Sequence, residues 1–257
     1  MTRKIAAAGI LIIIAAAFTS CRAYKEIKRE CVQMHKKYQV HKLTEPMKID
    51  GNWNKPQWKK VQPLDIALYM GDKPKFMPRA QAKVIYDDNF LYVIFRVEEK
   101  YVKAVETHNN GKVWEDSCVE FFVTPDGDIS KGYFNFEINC IGTILNFHQT
   151  RLDVNSVPVD QSLIAAMEIT PSLPKGKPID PEIPGLTTWT MEYRVPYALL
   201  EKYHPVIKPA PGVKWRANFY KCAEANSNPH WLTWSLVRNP TPQFHLPEYF
   251  GILEFAE

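Results

Sequence analysis

From residue 81 to the C-terminus the chain repeats one rhythm: a short stretch rich in β-branched and aromatic residues, then a break at Gly, Pro, Asn or Asp. QAKVIYD, FLYVIFRV, CVEFFVT, YFNFEIN, GTILNFHQ, TTWTMEYRV, VKWRANFYK, HWLTWSLV and FGILEF all read as strands. Hydrophobic spacing of helical period is nearly absent. VPYALLEKYH carries the one convincing helical turn, and the Pro-rich stretch 171–185 reads as a long loop. Many short strands without a βαβ alternation predict an all-β fold, an antiparallel β-sandwich of jelly-roll type with one short helix.

What comes before this rhythm is different in kind. Arg3 and Lys4 precede an apolar run over 5–18, too short to span a bilayer, in the charge-then-apolar order of an export signal. The run leads into FTSC, which resembles a bacterial lipoprotein signal whose cysteine, here Cys21, becomes the lipidated first residue. The expected organisation is a signal peptide over 1–20, a basic membrane-proximal tether over 21–40 and one domain over 41–257. That places the protein outside the cytoplasm, held to a membrane through lipid. Residues 1–48 carry ten Lys/Arg against three Glu, leaving 22 Lys/Arg against 25 Asp/Glu in the rest. The positive charge therefore belongs to the tether, and the folded part has no basic face for nucleic acid. With 46% hydrophobic residues, about 200 residues suffice for a single core. Cys31, Cys118, Cys140 and Cys222 have no CxxC or metal spacing and are too few for a disulfide scaffold, so they read as buried apolar residues.

Counting in twos gives each strand its faces. In SCVEFFV, Val119, Phe121 and Val123 share one side, and Cys118, Glu120 and Phe122 the other. In YFNFEIN, Phe134, Phe136 and Ile138 oppose Asn135, Glu137 and Asn139. A hairpin that turns both apolar trios to one core brings Glu120 and Glu137 together on the outward face, with Trp114 at its rim. The same parity separates Cys118 from Cys140, and puts Trp231 and Trp234 on opposite faces, one in the core and one able to line the rim. Trp53 and Trp58 read as packing at the domain start. A flat ring beside hydrogen-bonding groups suits a sugar, whose C–H face stacks on an aromatic and whose hydroxyls need polar partners.

Three stretches together resemble family 9 carbohydrate-binding modules. VWEDSCVEFFVTPDG is similar to the family's W-x-x-D-S-V-E-[IVF]-F segment, with Cys118 set between the Ser and the Val and the strand glutamate six residues after the tryptophan, at Glu120. KIDGNWNKPQWKKV resembles the family's first strand and turn, and TPQFHLPEYFGILEF its last loop and strand. The resemblance runs from about residue 40 to 257. It implies a non-catalytic sandwich that holds a sugar between two rings, Trp114 and Phe244, with Glu120 and Asn139 bonding hydroxyls, in support of polysaccharide breakdown and beside glycoside hydrolases. Two departures bear on the ligand: Phe244 stands where a tryptophan is usual, and Glu137 where the family has an arginine, an exchange of donor for acceptor. His245, next to Phe244, can supply a donor in its place.

Other classes find less in the sequence. A glycosidase needs two carboxyls on opposite sides of the scissile bond, about 5–9.5 Å apart, whereas Glu120 and Glu137 rise from one face. A haem-binding electron-transfer sandwich would need axial ligands, and there is no CxxCH. A structural or interaction domain with a vestigial cleft is the third alternative. YDDNF and PDGD offer oxygens for a structural calcium, no motif demands another cofactor, and the seven histidines show no zinc spacing. If Cys21 carries the lipid, Cys21→Ala will move the protein from the membrane fraction to the soluble one and abolish incorporation of labelled fatty acid. Continued membrane retention would overturn the anchor.

Overall fold

The computed structural model describes residues 35–257, so the signal peptide, Cys21, Cys31 and most of the tether lie outside the described residues. Sixteen strands follow one another: β1 (Lys37–Lys42), β2 (Leu64–Ile66), β3 (Leu68–Tyr69), β4 (Arg79–Tyr86), β5 (Phe90–Glu99), β6 (Val102–Ala104), β7 (Cys118–Thr124) and β8 (Tyr133–Asn139) in the first half. The second half holds β9 (Ile144–Gln149), β10 (Val157–Pro158), β11 (Thr170–Pro171), β12 (Ile179–Ile183), β13 (Thr187–Pro196), β14 (Lys214–Ala223), β15 (His230–Thr233) and β16 (Gly251–Ala256). Among the described residues α-helix is confined to single turns, α1 (Pro56–Lys59), α2 (Gln161–Ile164) and α3 (Tyr197–Glu201), with α3 where YALLE predicts it.

The strands join in the order β10-β9-β8-β7-β14-β16-β1-β4-β5-β13-β11. Two arms of this curled sheet face each other. Phe95 of β5 packs against Phe219 of β14 at 6.1 Å between ring centroids, and Phe219 stacks on Phe121 of β7 at 4.8 Å. The expected sandwich is therefore one sheet bent over its own core, and it is mixed rather than wholly antiparallel. β1 runs parallel to both β16 and β4. Its sequence, KYQVHK, buries only Val40 and so reads as tether, yet it pairs backbone that would otherwise be two open sheet edges. The stretch 171–185 is likewise not all loop, because β12 pairs with β6 in a separate two-stranded sheet.

Strand parity holds. Val119, Phe121, Val123, Phe134, Phe136 and Ile138 all enter the main core, as does Cys140, while Cys118 lies on the other face. All three described cysteines are buried free thiols. The other face of β7 and β8 is also buried, beneath a second apolar cluster that includes Met70, Phe122, Tyr133, Tyr220, Phe244 and Phe250.

The first turn of the domain is fixed by one buried acid. Glu192 of β13 accepts the backbone amides of Asp50 at 2.9 Å and Gly51 at 2.7 Å, and the Trp58 indole N–H at 2.7 Å. Lys55 pairs with the same carboxylate at 2.7 Å. Ile49 drops into a small cluster with Trp58 and Ile94, and Gly51 takes a left-handed φ of 75° that suits glycine. Trp53 lies at the edge of that cluster under the Lys83 ammonium, so both early tryptophans are packing residues. Glu192→Ala would orphan three N–H donors and leave the buried Lys55 with only Asp50 and the Lys48 carbonyl, with an expected loss of about 3–5 kcal/mol of stability. Chemical denaturation measures it; a loss under about 1 kcal/mol, the size of an ordinary surface substitution, would show that the turn is held some other way.

Candidate functional site

The second face of β7, β8 and β14 is the floor of a cavity of about 510 Å³. Register builds that floor: Glu120 lies opposite Glu137 on one side and Tyr220 on the other, and Cys118 lies opposite Cys222. Glu120, Glu137, Asn135 and Cys222 line the bottom, and Trp114, Trp231, Phe244 and His245 the sides. Asp153 and Glu224 stand exposed at the mouth. The polar face was expected to point outward, but Glu120 and Glu137 are only 2% and 3% exposed. Val237, Phe244 and Phe250 of the stretch before β16, together with Met70, roof the sheet there.

Trp114 sits on a one-turn 3₁₀ helix just before β7, half-buried. Its carbonyl receives the Glu224 amide at 3.3 Å and the Cys222 thiol at 3.6 Å, which fixes the turn against β14. Trp231 on β15 pairs with Cys222 and donates its indole N–H to Glu224 at 2.7 Å. Trp234, three residues on, is core. Phe244 lines the cavity but is 7% exposed, with its ring stacked on Tyr220 at 4.2 Å and 13°. Its main contact is thus internal. His245 touches both the Tyr133 hydroxyl at 2.8 Å and the Gln149 amide at 3.0 Å.

Five of the six expected ligand residues therefore share one cavity, and Asn139 does not. Its amide donates to Asp116 at 2.8 Å and to the Glu106 carbonyl at 2.9 Å, while its oxygen accepts the Thr143 amide at 2.9 Å. It braces the loop before β7. Asn135, of the same parity two positions before Glu137, takes the place on the floor and donates to Glu137 at 2.8 Å. Parity carried that signal, but it does not say how far along a strand a cavity extends. Trp231 is the member of the Trp231/Trp234 pair that lines the rim, whereas Glu224, Asp153 and Gln149 come from separate segments and had no common spacing to reveal them.

Burial dominates the electrostatics. It pushes the Glu120 carboxyl well above the usual range, helped by Cys222 and Glu137. It raises Glu137 to about 7 against the opposing Asn135 hydrogen bond, and lowers His245 to about 4. The Cys118 thiol is pushed up to about 12 by the same cause. Among the described residues, Cys118, Glu120 and Cys222 form the one His/Cys/Asp/Glu group whose ligand atoms converge within 4.8 Å, a donor set for soft cations rather than calcium. In the two Asp-rich turns, Asp87 accepts the Asn89 and Phe90 amides and the Tyr92 hydroxyl, and Asp126 pairs with Lys131 and His204.

The sequence profile of carbohydrate-binding family 9 matches residues 54–255. A Bacteroides uniformis ATCC 8492 protein of known structure, to which carbohydrate binding is ascribed, is 30% identical, with 86% of this chain and 99% of that one covered and a TM-score of 0.75. Two structures of a family 9 module from Caldicellulosiruptor kristjanssonii share the fold. One, with cellotriose, is 16% identical over 86% of this chain and 94% of that one, TM-score 0.55. The other, with glucose, is 17% identical over 86% and 95%, TM-score 0.54. No curated protein matches the sequence significantly.

The raised Glu137 and the lowered His245 give stability opposite slopes with pH. The fold holds the Glu137 proton more tightly than the unfolded chain does, so this group's contribution is full below the usual carboxylate range and is lost as pH rises toward 7. His245 is harder to protonate in the fold, so its contribution is lost as pH falls from about 6.5 toward 4. Glu137→Gln keeps an acceptor for Asn135 and removes the titration. It is expected to raise the melting temperature at about pH 8, where each 1 kcal/mol is worth about 2–4 °C, and to give no difference near pH 4. An effect that does not change with pH would contradict this.

Proposed function

The chain belongs to carbohydrate-binding family 9, and from that membership we propose that its cavity holds a unit of an oligo- or polysaccharide without cleaving it. The observation that carries the reading is the pairing of half-buried tryptophans with a floor of carboxyl and amide groups in one cavity. Trp114 and Trp231 offer faces for the C–H side of a pyranose, and Glu120, Glu137 and Asn135 offer partners for its hydroxyls. The volume falls in the range of small-ligand sites. The cellotriose- and glucose-bound relatives support a gluco-configured ligand as the first to try. Phe244 completes the wall by stacking behind it on Tyr220.

Hydrolysis is disfavoured by the same geometry. Glu120 and Glu137 are direct cross-strand partners on one floor, so they do not flank a bond between them as an acid and a nucleophile or base must. The proposal extends to setting: a lipid-anchored protein at the cell surface or in the periplasm, holding polysaccharide for glycoside hydrolases to break down. The leader and Cys21 support that part.

Isothermal titration with cellotriose and glucose tests the site. Trp114→Ala and Trp231→Ala should each weaken binding about thirtyfold, the equivalent of a hot-spot loss of about 2 kcal/mol, with little change in melting temperature. Phe244→Ala should instead lower the melting temperature, since truncating a buried Phe costs about 3–5 kcal/mol. Undiminished binding in both tryptophan variants would remove the cavity as the sugar site.

A further inference from the structure

Among the described residues, the buried acids outside the cavity floor are matched: Asp116 accepts the Val105 and Glu106 backbone amides and the Asn139 amide on its two oxygens, and the others pair with bases. Glu99 pairs with Lys221 at 2.9 Å, Glu192 with Lys55 at 2.7 Å, and Asp126 with Lys131 at 2.5 Å. Among the described residues Glu120 and Glu137 have no such partner. Glu120 accepts only the Cys222 thiol, at 3.0 Å, and Glu137 only the Asn135 amide, at 2.8 Å, with the nearest ring nitrogen of His245 3.7 Å away. Each therefore keeps a carboxyl oxygen without a donor inside the protein. Among the described residues no lysine or arginine lines the cavity, and two further acids, Glu224 and Asp153, stand at its mouth.

Such an arrangement works against the fold. Two carboxyls directly opposite in an antiparallel ladder repel one another when both ionise, and desolvation adds to the cost. A neutral sugar would relieve only part of it, because hydroxyls donate hydrogen bonds but bring no charge. An ammonium group brings both, with three N–H donors on a compact cation that two adjacent carboxyl groups can share. The tryptophan walls suit the same ligand, since an indole face attracts a cation as well as the C–H side of a sugar ring.

We infer that the ligand of this cavity is an amino sugar with a free amine, its ammonium seated between Glu120 and Glu137 while Trp114 and Trp231 hold the ring. The inference rests on the cavity being the sugar site. It adds the charge of the ligand, and the exchange of an expected arginine for Glu137 becomes its determinant.

Three trimers with the same β-1,4 backbone separate the possibilities in titrations at about pH 7 with EDTA: glucosamine trimer, N-acetylglucosamine trimer and cellotriose. The glucosamine trimer should bind at least about tenfold more tightly than cellotriose, a difference of about 1.4 kcal/mol, and the N-acetylated trimer should show no such gain. In Glu137→Gln the advantage of the amine should fall below about threefold, and Glu224→Gln at the exposed mouth should reduce it in part; melting curves establish that both variants fold. Cellotriose binding as tightly as the glucosamine trimer would overturn the inference and leave the sugar site standing. So would equal affinity for the N-acetylated trimer, or a tenfold gain in cellotriose affinity on replacing EDTA with calcium, which would assign the floor to a metal ion. Failure of all three trimers to bind would remove the sugar site itself.

Discussion

The strands β7 and β8 are buried along their whole length on both faces, and most of what is distinctive in the molecule follows from that. A strand alternates its side chains, so a ladder with two covered faces must fill two environments from one sequence. Phe121 and Phe136 satisfy the main core on one side. On the other side Phe122 and Tyr133 join the roof, and the positions between them are left to Glu120, Glu137 and Asn135. Polar groups end up enclosed, in low dielectric, beside aromatic rings. That enclosure is what displaces their proton affinities and makes each hydrogen bond there stronger than it would be at a surface.

The opposite arm has a different task. Glu192 collects the first turn of the domain with one carboxylate, and β1 closes the gap between β16 and β4. Neither touches the cavity. They hold the bent sheet shut, so that the loops before β16 stay packed over β7 and β8.

Much of this could be read from residue order. The aromatic and β-branched runs marked nine strands, β4, β5, β7, β8, β9, β13, β14, β15 and β16, and counting in twos placed Val119, Phe121, Phe134 and Ile138 in the core and brought Glu120 to Glu137. The same count separated Trp231 from Trp234. What escaped has a common cause, because parity describes a strand and not what lies above it. The roof comes from Met70 and from the ends of two strand-like runs, Val237 beyond the end of β15 and Phe250 just before β16, so the carboxyls read as exposed. Asn139 has the right parity but lies beyond the end of the cavity, where Asp116 and Thr143 engage it. β1 buries one side chain in six, and β10 and β12, two and five residues long and mostly exposed, leave no alternation to recognise.

The parallel pairing of β1 with β16 also sets an order in time. Lys37 meets Ile252 and His41 meets Ala256, so the first strand of the domain, which can join β4 at His41 and Lys42 early, completes most of its pairing only when the last one exists. Local hairpins such as β4–β5 and β7–β8 can form early, since short loops close cheaply. The seam between the two arms cannot. A sheet that completes itself through contacts more than 200 residues apart belongs to the slow, high-contact-order class of folds. Until the C-terminal strand docks, the free edge of β1, the start of β14 and the underside of the roof stay open to water and to other chains.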